Sequence, residues 1–66
     1  MAYEDNRGWQ YAVRPGLGGD TFSVFYRKPE KSWHSVRSMP WRDTEADAEN
    51  DLIAYAAKHQ MKKVEG

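Results

Sequence analysis

The chain has 66 residues, no cysteine, and ten basic side chains balanced by ten acidic ones. That length allows a single domain; it leaves no disulfide or thiolate zinc site to staple one, and no apolar run approaches the roughly 20 residues of a membrane helix. Three Trp, four Tyr and two Phe must carry much of the core, each buried ring being worth about 1.5–3 kcal/mol.

Residues 1–8 are polar and are expected to fray. Glu4, Asp5 and Asn6 stand where a signal peptide would be apolar, so none is expected and the cytoplasm is the expected location. In residues 9–14 apolar and polar side chains alternate, the period of a strand, with Trp9, Tyr11 and Val13 on one face. Pro15, Gly16, Gly18 and Gly19 then break the pattern. A second strand is expected over residues 21–28, with Phe22, Val24 and Tyr26 on one face and Thr21, Ser23, Phe25 and Arg27 on the other. Lys28-Pro29-Glu30-Lys31 reads as a tight turn, because proline presets the backbone its second position requires.

A third strand is expected over residues 33–39. Trp33, Arg37 and Met39 share one face, His34 and Val36 the other, so Trp33 points outward if Val36 is core and no bulge shifts the register. Pro40 ends this strand, and Trp41 is expected to pack across the corner into a helix. The helix is expected over residues 44–60, capped by Asp43 or Thr44, with acidic residues in its first turns where the helix dipole favours them. Ala48, Leu52, Tyr55, Ala56 and His59 form one stripe, flanked by Ile53, that should cover the sheet. Residues 61–66 alternate weakly and are either a short final strand or a tail. The expected fold class is therefore α+β: a single β-β-β-α domain over residues 1–66, ordered over about 7–63, with a three-stranded antiparallel meander (and a fourth C-terminal strand as an option) against one C-terminal helix.

The neutral total hides an asymmetry. From Arg7 to Arg42 seven basic residues face two acidic ones; from Asp43 to Gln60 one faces five. The sheet should be positive and the helix negative. The sheet face turned away from the helix is expected to show Gln10, Arg14, Ser23, Phe25, Arg27, Trp33 and Arg37. Of these, Arg14, Phe25, Arg27, Trp33 and Arg37 are the candidate binding residues, since guanidinium groups reach phosphates and base edges while flat rings stack on bases. Two other readings stand beside nucleic acid. The same face, or an exposed strand edge, can dock a protein or a second copy of the chain, and cross-strand cation–π pairs can fill such a face with no ligand at all.

Thr44-Glu45-Ala46-Asp47-Ala48-Glu49-Asn50-Asp51-Leu52 resembles the Thr, then Ala-Glu, then apolar spacing at the helix start of the AP2/integrase-type DNA-binding domain. Residues 9–14 and 23–28 resemble its first two strands, each ending in basic residues, and the likeness covers about residues 9–57. It implies three antiparallel strands on one helix, with strands reading the major groove and Arg14, Arg27, Trp33 and Arg37 at the interface. The aromatic-glycine element of the family's first strand has no counterpart, and the loop over 15–20 is longer than a tight hairpin needs. Size and resemblance together fit a small accessory or mobile-element protein.

Other chemistry finds little footing. Gly16-Leu17-Gly18-Gly19 lacks the Lys-Ser/Thr and the helix start of a phosphate loop. His34 and His59 fall on different elements without metal-ligand spacing, and Ser32, Ser35 and Ser38 have no orienting base–acid pair. Glu45, Asp47, Glu49 and Asp51 spread around a helix and read as a solvated face. A non-enzymatic module with no metal and no cofactor is the expectation.

Overall fold

A computed structural model describes residues 1–64. It contains one antiparallel sheet and one α-helix, in the order β1 (Ala2–Glu4), β2 (Gln10–Pro15), β3 (Phe22–Arg27), β4 (His34–Ser35), α1 (Glu45–Lys58) and β5 (Lys62–Val64). Across the sheet the strands run β4-β3-β2-β1-β5. The class is the expected α+β, but five strands replace three.

The extra strands come from both ends. The segment expected to fray instead supplies β1, which lies between β2 and β5. Its turn is written in the sequence: Asp5 opens it and Gly8 closes it, Gly8 N–H donating to Asp5 O at 3.0 Å, and Asp5 N–H donates to Trp9 O at 3.0 Å. Gly8 takes φ of +85°, which lets the type I turn match the twist of the paired strands. At the other end, α1 stops in a Schellman arrangement. Met61 N–H donates to Ala56 O at 2.9 Å and Gln60 N–H to Ala57 O at 3.3 Å, with Gln60 at φ of +55°. That reversal sends Met61 into the core and sets Lys62–Val64 against β1. Residues 65–66 of the expected final strand or tail lie outside the described residues.

Strands β2 and β3 match the expected runs and pair Gln10 with Arg27 through Pro15 with Phe22. Their connection carries a short 3-10 turn, Leu17–Gly19. The third strand is a correction, because only His34–Ser35 pair with β3 as a ladder. Val36 N–H adds one more bond to Val24 O at 3.0 Å; then the chain turns, Met39 N–H donating to Val36 O. This turn lets both Val36 and Met39 reach the core, which a straight strand would forbid because they lie on opposite faces of it. Arg42 returns to the sheet and exchanges two backbone bonds with Phe22, at 2.7 and 2.8 Å.

Thr44 is the helix cap, its Oγ1 accepting from Asp47 N–H at 3.2 Å. Ala48, Leu52 and Ala56 are buried against the sheet, the two alanines letting the backbone come close. Leu52 and Val24 are wholly buried, and with Tyr11 they form the core, flanked by Tyr3, Trp9, Val13, Tyr26, Val36, Met39, Tyr55 and Met61. Phe22 is only half-buried and stands outside this cluster, while His59 on the expected stripe and Ile53 on its flank are exposed. Arg42 clamps the helix to the sheet edge through a two-pronged contact with Asp51, at 2.8 and 3.1 Å. The helix packs on β2 and β3 and leaves both flanks of the sheet uncovered.

Two substitutions test this architecture by urea denaturation. Leu52→Ala should cost about 2–5 kcal/mol, the range for a large-to-small change in a core. Gln60→Gly should raise stability by about 0.5–1 kcal/mol, because it relieves a left-handed backbone that side chains disfavour. A neutral Leu52→Ala or a destabilising Gln60→Gly would contradict the packing and the helix end described above.

Candidate functional site

The register lays out the helix-free face in rows. One row runs Lys62, Glu4, Gln10, Arg27; the next runs Val64, Ala2, Ala12, Phe25, Ser35. Arg14 lies beyond them, opposite Ser23. Trp33, just before the edge strand, reaches back over this face. Its ring centre is 4.7 Å from the Arg27 guanidinium carbon and 5.3 Å from that of Arg14. The small Ala12 stands between the two arginines on that strand pair, and an Arg27 Nη2–H donates to Gln10 Oε1. Each cation–π contact is worth about 0.5–2 kcal/mol depending on exposure. Arg14, Phe25, Arg27 and Trp33 are therefore brought onto one surface, and among the described residues neither Arg14 nor Arg27 forms an ion pair with a carboxylate.

Two expected members are elsewhere. Ser23 is buried, 1% exposed, because the 36–42 excursion folds back over it and its hydroxyl donates to Pro40 O at 3.0 Å. Arg37 lies in that same excursion and lines a cleft on the helix side of the sheet. Conversely, Trp41 does not pack across the helix corner. It meets Phe25 edge-on, centroids 5.8 Å apart, and its ring covers Gly16, where a Cβ would come within 2.8 Å of it. The end of the helix-free face around Ser23 is thus roofed by the chain itself; the end carrying Gln10 and Arg27 stays open, and Arg14, exposed beside the roofed end, meets the Trp33 ring.

The helix side holds a second constellation. Tyr3, Tyr11, Tyr26 and His34 stand opposite one another across four successive strands. The helix shields Tyr11, with Tyr55 at 5.7 Å, while Tyr26 and His34 emerge beyond it. Trp9 stacks on Tyr26 at 5.7 Å with planes 20° apart, and His34 tilts against Tyr26 at 6.0 Å. Between this aromatic row and Tyr55 opens a cleft of about 470 Å³, rimmed by Arg7, Val36 and Arg37. Trp9 carries two cations, the Arg7 guanidinium at 3.6 Å and the Lys28 ammonium at 4.9 Å.

Asp5 fixes this arrangement. Its carboxylate accepts from Arg7 N–H at 2.9 Å, Trp9 N–H at 3.0 Å, the Tyr11 hydroxyl at 3.0 Å and the Arg7 guanidinium at 2.8 and 3.2 Å. Burial works to raise its pKa, yet these donors outweigh burial and hold the carboxyl below the usual aspartate value of 3.8. The Tyr11 phenol is pushed up to about 12, first by burial and then by its bond to Asp5, so it remains a neutral donor at ordinary pH. The fraying expected over residues 1–8 does not occur; the Asp-x-x-Gly spacing of residues 5–8, which closes a turn, is the signal for order. Trp9 and Tyr26 were legible as core-facing, but their membership in an open cleft was not.

Among the described residues, neither surface assembles a nucleophile, base and orienting acid. His34 lies against Tyr26 and His59 against Tyr55, and among the described residues no three potential metal ligands converge. The arrangement is suited to stacking and to anion contact. No family model, curated protein or solved structure matches this chain.

Asp5→Ala should cost about 2 kcal/mol, the order expected for losing hydrogen bonds to a charged group, and should free the Trp9 indole, seen as a changed fluorescence maximum. The acid limb follows from the lowered pKa. The Asp5 contribution is complete above the unfolded value near 3.8 and is lost as pH falls through the lower folded value. Asp5→Asn should therefore flatten the loss of stability below about pH 4. An unchanged acid limb in that variant would remove Asp5 as the hub.

Proposed function

We propose that this protein is a small non-enzymatic binding module that contacts nucleic acid through the open end of its helix-free sheet face. The observation that carries the reading is Trp33 lying against both Arg14 and Arg27, two guanidiniums without carboxylate partners among the described residues. Paired with the ring, the arginines are held on the surface, so less side-chain freedom is lost when they meet phosphates. Gln10 borders them and offers an amide for base or sugar contact, and Phe25, packed edge-on by Trp41, closes the surface on its roofed side. The resemblance to the AP2/integrase-type domain assigns this role to the same strands, here β2 and β3 with the segment leading into β4. Arg37 drops out of this surface because it lies across the sheet. The acidic helix is turned away from it and would orient the dipolar domain toward a polyanion.

A protein partner or a second copy of the chain is the competing occupant, favoured by one specific feature: Trp41 is 49% exposed beside Phe25. Docking by strand addition has little support. The first expected strand is interior to the sheet, β4 offers only two ladder residues, and the β5 edge carries exposed Lys62 and Lys63.

Titration of labelled duplex and single-stranded oligonucleotides at rising salt tests the proposal. Affinity should fall linearly on a log–log plot, and Arg14→Ala or Arg27→Ala should each reduce the magnitude of the slope by about one. A folded protein that binds neither oligonucleotide at high micromolar concentration and low salt, yet dimerises in sedimentation through Trp41, would transfer the surface to protein association.

A further inference from the structure

We infer that the helix-side cleft is a separate binding site for one nucleotide unit, a planar base stacked on the aromatic row with its phosphate on Arg37. The cleft lies on the opposite side of the sheet from Trp33, so the inference does not depend on the outer face. Its volume of about 470 Å³ falls within the range of small-ligand sites. Four aromatic side chains border it (Trp9, Tyr11, Tyr26 and Tyr55), with His34 extending the row toward the sheet edge. Ring faces and edges at this density favour a flat ligand, and stacking on such rings tolerates any base.

The charges select an anion. Two guanidiniums and a histidine line the cleft, and among the described residues no carboxylate does. Arg7 is not the main anion contact. Asp5 offsets its charge at 2.8 Å while fixing it over Trp9. Arg37 has no such ion pair among the described residues, so it is the group able to form two parallel bonds to a phosphate. Beyond His34 the positive rim continues: Lys28 and Lys31 share a shallow depression with Tyr26 and His34. A single strand leaving the cleft would run its next phosphates there, whereas a free nucleotide would use the cleft alone. A base within a duplex is stacked and paired and cannot enter either way.

The test is a heteronuclear NMR titration that follows the Trp9 indole N–H. The probes are thymidine 5′-monophosphate, thymidine, inorganic phosphate and a short single-stranded oligothymidylate. The monophosphate should shift Trp9 saturably, with thymidine and phosphate each at least about tenfold weaker because each lacks one half of the recognition. Arg37→Ala should weaken the monophosphate about tenfold, while Arg14→Ala, on the other face, leaves the Trp9 response to the monophosphate unchanged. His34→Ala serves as a second variant should Arg37→Ala disturb the turn at residues 36–39; it should weaken stacking a few-fold. Tighter binding of the oligonucleotide identifies single-stranded nucleic acid as the source, and equal binding identifies a free nucleotide. The inference fails if neither nucleotide probe moves Trp9 at millimolar concentration. It fails equally if phosphate alone binds as tightly as the monophosphate, or if both variants fold and bind like the wild type. Loss of oligonucleotide binding in Arg14→Ala with the Trp9 response intact would separate the two faces.

Discussion

One helix cannot cover five strands, and most of what distinguishes this protein follows from that mismatch. An α-helix with its side chains is about 10 Å wide, and strands lie about 4.8 Å apart, so one helix shields about two of them. Here it shields β2 and β3, where Val24, Tyr11 and Leu52 meet. The helix-side surface of the outer strands must be closed by other means. Toward β5, Tyr3 and Met61 fill the flank. Toward β4, the chain supplies Val36 and Met39 from a turn instead of a strand, and the gap left beside them is the aromatic cleft.

The same constraint explains why the termini are structural. A core with so few fully buried side chains gains from every strand that extends the ladder, since small domains bury a modest share of their surface. β1 is bonded on both sides and β5 closes the sheet beyond it. The Asp5 carboxylate secures the turn that makes β1 possible and, with the same oxygens, sets Trp9 and Arg7 at the mouth of the cleft. Structure and candidate site thus share one half-buried carboxylate, whose partial desolvation is offset by the donors around it.

The two candidate surfaces differ in how their cations are held. On the outer face, Trp33 sits against two guanidiniums whose charges remain free of ion pairing among the described residues. In the cleft, Arg7 is neutralised in place and serves to organise Trp9, so Arg37 is left to meet an anion. Both surfaces are basic and aromatic; the cleft holds about 470 Å³, and a smaller depression of about 290 Å³ borders Gln10 and Arg27 on the outer face. The acidic helix contributes Asp51 to the Arg42 clamp and otherwise faces solvent with its charges near the positive end of its own dipole.

Periodicity alone determined the α+β class, the β2–β3 pairing faces and the helix stripe, because alternation by two and recurrence at three to four are imposed by local backbone geometry. It also placed Arg14, Phe25, Arg27 and Trp33 on one face, the first three in paired strands and Trp33 directly before β4. Tertiary structure alone decided the rest. Residues 36–42 break period to fill the core from a turn, carrying Arg37 to the opposite side, Pro40 over Ser23 and Trp41 onto Phe25. Residues 2–4 and 62–64 are too short to declare themselves as strands and become so only by pairing with each other and with β2. A local pattern states which way a side chain points along its own segment; where the chain turns to close a core that one helix leaves open is a property of the whole fold.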